Sequence, residues 1–106
     1  ASVHSLETIT IPNSVLIMGE SVFEECRNLT SVTLSENLTE IPYRTFAYCT
    51  KLSTVIIPGK VETIGVSAFF GAGLTDIEIP ETVREIKGNA FWGNSSLTKI
   101  GVPMVL

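Results

Sequence analysis

Residues 52–73 read LSTVIIPGKVETIGVSAFFGAG, and the rest of the chain repeats that stretch. From Leu6 the sequence runs LETITIPNSVLIMGESVFEECRN, from Leu29 LTSVTLSENLTEIPYRTFAYCTK, and from Leu74 LTDIEIPETVREIKGNAFWGNSS. A fifth copy starts at Leu97. The leading leucines stand 23, 23, 22 and 23 residues apart. A fixed period between about 20 and 50 residues marks a chain that coils, each unit stacking on the last. Three residues after each leucine sits Ile9, Val32, Val55, Ile77 or Ile100, and five after it Ile11, Leu34, Ile57, Ile79 or Val102. Pro12, Pro58, Pro80 and Pro103 follow, with Ser35 the exception. Val15, Leu38, Val61 and Val83 come next, then Met18, Ile41, Ile64 and Ile86, and Phe23, Phe46, Phe69 and Phe91 close the unit in register.

The spacing dictates local structure. Apolar residues at plus three and plus five give period two, a short strand with one buried face. Proline at plus six removes a ladder donor and ends that strand. The small residue before the core phenylalanine in Ala68-Phe69 and Ala90-Phe91 predicts a short helical or 3-10 turn. One unit cannot cover its own apolar face, so the units must stack, with equivalent strands parallel at ~4.8 Å per coil.

Composition bounds the function. The 106 residues suit one domain, and at 44% hydrophobic and 17% charged the chain can bury a core. Eleven acids against seven bases give a net charge of -4. Arg27, Arg44, Lys51, Lys60, Arg84, Lys87 and Lys99 are scattered, so there is no basic stripe for nucleic acid or for an anionic membrane surface. No apolar run approaches the ~20 residues a membrane-spanning helix needs. The chain begins at Ala1, so the lack of a targeting segment is uninformative.

The unit L-x-x-[IV]-x-[IL]-P-x-x-[VL]-x-x-I-G-x-x-A-F-x-x-C resembles the BspA-like class of leucine-rich repeats, over essentially all of residues 6–106. The resemblance implies a leucine-rich-repeat solenoid. Short parallel strands stack on one face, with turns and short strands or 3-10 segments on the other. It also implies a cell-surface or secreted protein, associated with adhesion to host matrix proteins, host cells or other microbes. There are departures. The general pattern has Asn or Cys at plus eight, where this chain has Ser14, Asn37, Lys60 and Thr82. The second copy has Pro42 for the usual glycine, and the fourth has Lys87.

The organisation expected is a single array over residues 1–106: a partial repeat at 1–5, repeats at 6–28, 29–51, 52–73 and 74–96, and a partial repeat at 97–106. Neither end reads as a polar capping repeat, with Met104, Val105 and Leu106 apolar, which implies a section of a longer array and open ends that could associate end to end.

No catalytic, metal or cofactor constellation stands out. His4 is alone, and a metal site or nucleophile-base pair needs more partners. Cys26 and Cys49 share one column, continued by Ala72 and Asn94, and read as free buried thiols rather than a disulfide. Asp76, Glu78, Glu81 and Glu85, and Glu24 with Glu25, read as solvated acidic faces. Sequons begin at Asn28, Asn37 and Asn94. Asn94, in a turn, is the acceptor to expect should the chain pass through a eukaryotic secretory pathway.

Two surfaces are candidates for binding. The outward strand positions carry Thr8, Thr10, Ser31, Thr33, Thr54, Ile56, Asp76, Glu78 and Lys99, hydroxyls that give way to acids. Threonine there is also simply a good strand former. The alternative is an aromatic patch of Phe70, Trp92 and Tyr48, whose rings would otherwise fold over the coil's edge. The column Thr10, Thr33, Ile56, Glu78 drifts from copy to copy, as a binding face does and a spacer has no reason to. The sequence therefore points to a non-catalytic module that binds a protein or glycan. The runner-up is a structural stalk presenting another domain.

Overall fold

A computed structural model describes residues 5–101, so His4, Val102, Pro103, Met104, Val105 and Leu106 lie outside the described residues. Among the described residues seven short strands follow one another: β1 (Thr8–Thr10), β2 (Ser31–Thr33), β3 (Glu40–Ile41), β4 (Thr63–Ile64), β5 (Asp76–Glu78), β6 (Glu85–Ile86) and β7 (Lys99–Gly101). All pairings are parallel. β1 pairs with β2, and β5 with β7, on the strand face. β3, β4 and β6 form a second narrow sheet on the opposite face. In β1–β2 Ile9 lies opposite Val32, one coil apart, as the 23-residue period requires.

The proline column starts a turn as well as ending a strand. Pro12, Pro58 and Pro80 accept, at their carbonyls, the N–H of Val15, Val61 and Val83 three residues on, and Ser35 accepts that of Leu38. Ser35 is wholly buried, and its hydroxyl donates to the Val15 carbonyl of the preceding coil at 2.6 Å. The departure from proline therefore carries its own hydrogen bond between coils.

The phenylalanine turn differs from the helical or 3-10 turn expected. Two residues in each unit have left-handed backbones: Ser21, Arg44, Ser67 and Asn89 at plus fifteen, and Glu25, Tyr48, Gly71 and Gly93 at plus nineteen. A helix cannot continue through such residues. Amides consequently alternate in role. Those of Ser21, Phe23 and Glu25 donate to the carbonyls of Tyr43, Thr45 and Ala47 in the next coil, while those of Glu24 and Cys26 donate back to Ser21 and Phe23. Arg44, Phe46 and Tyr48 repeat the forward pattern to Val66, Ala68 and Phe70, and Ser67, Phe69 and Gly71 to Gly88, Ala90 and Trp92. Each turn is thus a third hydrogen-bonded seam along the solenoid.

Inside, the columns become ladders. Leu29, Leu52 and Leu74 are wholly buried, as are Ile41 and Ile64. Phe23, Phe46, Phe69 and Phe91 stack nearly parallel, with centroids 5.7, 5.3 and 5.4 Å apart. Stacking of this kind adds about 0.5–1.5 kcal/mol per pair beyond area burial. The short third unit closes at Gly73, where a Cβ would lie 2.2 Å from the Thr50 carbonyl oxygen. Only glycine fits where the chain has one residue fewer.

Candidate functional site

The strand face gathers the residues expected there. Thr8, Thr10, Ser31, Thr33, Thr54, Ile56, Asp76, Glu78 and Lys99 are all exposed, while Val32, Val55 and Ile77 between them point into the core. Ile56 is the outlier, 85% exposed in a column otherwise of Thr10, Thr33, Glu78 and Gly101. It has a coil on either side, so its exposure does not come from an end.

This face is not a continuous sheet. Between the first and second copies, Thr30 N–H donates to the Glu7 carbonyl and Ile11 N–H to Thr33. Thr75 N–H likewise donates to Ser53 between copies three and four, and Ile79 N–H to Gly101 between copies four and five. The counterparts between copies two and three, Ser53 to Thr30 and Leu34 to Ile56, are absent, and residues 54–56 join the sheet only through a single bridge from Ile56 to Glu78. The opposite sheet and the turns stay bonded across this junction, as Glu62 to Thr39 and Phe46 to Ala68 show.

Two hollows flank Ile56. One, of about 660 Å³, lies over the gap, with Val32, Leu34, Ile57 and Pro58 beneath it and Asn13, Glu36 and Lys60 at its rim. The other, of about 600 Å³, is lined by Thr54, Ile56, Asp76, Glu78, Pro80 and Gly101. The rim is ordered from coil to coil: Asn13 Oδ1 accepts the Glu36 amide at 2.9 Å, and Lys60 Nζ donates to Asn37 Oδ1 at 2.8 Å. Sequence reading missed Asn13 and Glu36 because they sit beyond the strand at plus seven, one position before the column that holds Asn37 and Lys60.

The aromatic patch is organised around a residue that sequence reading passed over. Arg44 lies over the rings of Tyr43, Tyr48 and Phe70 at 5.9, 5.5 and 5.8 Å. Its Nε and Nη2 both donate to Glu24 Oε2, at 3.1 and 2.9 Å. That hydrogen bond holds the Glu24 carboxyl below its usual range. Glu24 is therefore half-buried and paired, which corrects its reading as a solvated acid, while Glu25 pairs with Arg27 at 3.3 Å. Tyr48 meets Phe70 edge-on at 5.6 Å, and Phe70 stacks on Trp92 at 5.0 Å. Tyr48 and Phe70 are half-buried, and Trp92 is 64% exposed.

Cys26 and Cys49 are free and wholly buried. Cys49 donates its thiol hydrogen to the Phe23 carbonyl at 3.1 Å. Burial, and then the neighbouring Cys26, push its pKa up to about 12. Asn94, in the same column, is also buried: its side-chain amide donates to the carbonyls of Phe69 and Phe91 at 2.7 and 2.8 Å, and its Oδ1 accepts the Leu74 amide. That overturns Asn94 as the accessible sequon. Of the three, Asn28 is the exposed one. The four acids of the fourth copy do not form one cluster, because Asp76 and Glu78 lie on β5 and Glu85 on β6 of the opposite sheet. Among the described residues no group of three or more His, Cys, Asp or Glu is placed to hold a metal ion, and no helix is long and apolar enough to cross a membrane.

Parallel coils of 22 or 23 residues, with leucine and phenylalanine ladders inside, define a leucine-rich-repeat solenoid. The description "BspA type leucine rich repeat region" matches residues 1–103 in six copies, and the chain belongs to that family. No curated protein gives a significant match. Three solved structures are similar. A leucine-rich repeat protein of Bacteroides ovatus ATCC 8483 has 33% identity and a TM-score of 0.90, covering 94% of this chain and 26% of its own. A leucine rich cell surface protein of Faecalibacterium prausnitzii A2-165 has 32% identity and a TM-score of 0.88, covering 94% and 27%. The leucine-rich repeat protein of T. pallidum has 26% identity and a TM-score of 0.84, covering 92% and 56%. The chain thus spans about a quarter of the first two proteins' length.

Proposed function

We propose that this chain is a non-catalytic binding segment of a cell-surface or secreted protein and that its strand face holds a protein or glycan ligand. The observation that carries the reading is Ile56, an aliphatic side chain left in water in the middle of the array between two hollows. Burying it against a ligand would return about 1.5–3 kcal/mol. The columns open to solvent hold hydroxyls and separated acids, which suits recognition rather than catalysis. The surface setting is supported by the family and by the similar Faecalibacterium protein, a leucine rich cell surface protein.

The test is a binding measurement on the purified chain against immobilised host matrix proteins and a glycan array, beside a Thr33→Arg/Thr54→Arg variant. Both positions are exposed, so the variant folds with an unchanged far-UV spectrum. Loss of binding by the variant supports the strand face. Unchanged binding refutes it, and loss in Trp92→Ala instead would move the site to the aromatic patch. A chain that binds nothing on either panel would return the role to a stalk.

A further inference from the structure

We infer that the strand face holds an extended protein segment of about six residues laid across the strands. An apolar side chain sits over the gap between copies two and three, and a lysine or arginine two residues away sits between Asp76 and Glu78. This rests on the strand-face reading above and narrows it from any protein or glycan to one class of peptide.

Three observations converge. The first is the floor. Both hollows share Ile56 and Ile57, and neither is lined by an aromatic residue, so there is no ring face for a sugar to stack on. Aliphatic side chains separated by backbone polar groups suit an extended peptide.

The second is the gap. Leu34 N–H and the Ile56 carbonyl lack the backbone bond that Ile11 N–H makes to the Thr33 carbonyl one junction earlier, and both residues line the larger hollow. Main-chain groups left unpaired at the edge of the gap keep hydrogen-bonding capacity that a ligand's main chain can use. A peptide main chain offers both a donor and an acceptor at each residue.

The third is charge. Asp76 and Glu78 are exposed on one strand, and neither makes an ion pair among the described residues, where the pairs are Arg27 with Glu25 and Arg44 with Glu24. Lys99 stands opposite Asp76 in register without pairing to it. Glu78 has room to lie along the floor because the next position in its column is Gly101, where a Cβ would come within 3.2 Å of Glu78 Cγ.

Geometry sets the spacing. The middle of the gap lies one and a half coils from β5, about 7 Å at ~4.8 Å per coil. Residues i and i+2 of an extended chain are separated by about that distance, and their side chains point the same way. The residue between them points away from Ile56, which meets the peptide backbone instead. The hollows run from Thr10 to Gly101, four coil steps or about 19 Å, the length of about six extended residues.

The test is an array of acetylated hexapeptides randomised at each position, probed with the labelled chain, with a glycan array in parallel. Affinities of selected peptides are then measured by fluorescence anisotropy. Selected peptides should carry an aliphatic residue and a lysine or arginine at i and i+2, in either order. Ile56→Asp should weaken them at least tenfold. Ile56→Thr, which restores the column's usual residue, should weaken them severalfold with an unchanged thermal melt. Asp76→Asn/Glu78→Gln should erase the preference for a basic residue and leave that for the aliphatic one. Absence of selected peptides, selection of acidic ones, or equal affinity for Ile56→Asp would overturn the inference. Glycan binding that Thr33→Arg/Thr54→Arg abolishes, with no peptide selected, would overturn the peptide while leaving the strand face standing. Binding of either class that this double variant leaves intact would overturn both.

Discussion

Asn94 and Cys49 show how one column can do one task with different chemistry. Each reaches back about one coil to the carbonyl of a core phenylalanine, Asn94 to Phe69 and Cys49 to Phe23. Asn94→Ala would leave the Phe69 and Phe91 carbonyls and the Leu74 amide without this partner, costing about 1–3 kcal/mol in a urea melt. The buried thiols should resist a thiol reagent in the folded protein and react when it unfolds. With the folded pKa of Cys49 about 12 against an ordinary 9, the unfolded chain loses its proton first. The thiol's contribution is therefore constant below about pH 9 and falls as pH rises from 9 to 12. The drop should be smaller in Cys49→Ala, measured by melts across that window. The sequence shows that residues 26, 49, 72 and 94 share a column, because register is a matter of counting. It does not show that Asn94 is spent on carbonyls, because those belong to turns whose shape is set by the neighbouring coil.

The turn is the element where sequence and structure part most. The phenylalanine column is legible from the period alone, since nothing but a repeated core places Phe23, Phe46, Phe69 and Phe91 in step. The left-handed residues at plus fifteen are not legible, because Ser21, Arg44, Ser67 and Asn89 include no glycine to signal them. Their conformation is imposed by the seam of amides running from coil to coil. Glycine takes the second left-handed position in the third and fourth copies, and it is needed most where space is also short. Gly71 has φ 62°, and a Cβ there would meet the Tyr48 ring at 3.0 Å. Gly88, in the same turn region of the next copy, has no atom within 4 Å of such a Cβ. Gly71→Ala should therefore destabilise by about 1–3 kcal/mol. Gly88→Ala should stay within about 0.5 kcal/mol of wild type. Equal thermal shifts for the two would mean that the left-handed turn does not carry load in solution.

At the scale of the whole molecule, stability comes from interfaces between neighbouring coils, so it can differ from junction to junction. Phe69 is wholly buried between Phe46 and Phe91, and Phe69→Ala should cost about 3–5 kcal/mol, whereas Thr54→Ala on the exposed face should cost under about 1 kcal/mol in the same urea melts. Comparable losses would mean that the core and the strand face have been exchanged. The junction between copies two and three is held by its turn seam, its opposite sheet and its phenylalanine stack, but not by its strand face. Sequence could not have located that gap, because Ser31, Val32 and Thr33 alternate as regularly as Thr8, Ile9 and Thr10. Native-state amide exchange can locate it, since exchange follows local opening of hydrogen bonds. Ser53 and Leu34 should exchange faster than their bonded counterparts Thr75 and Ile11, while Phe46 and Tyr48, at the same junction, stay protected. If Ser53 and Leu34 exchanged as slowly as Thr75 and Ile11, the gap would be closed in solution. A peptide across Ile56 would then find side chains to pack on but no open backbone to bond. If they are fast in the free chain and slow with a selected hexapeptide bound, the open junction and the ligand groove are the same place.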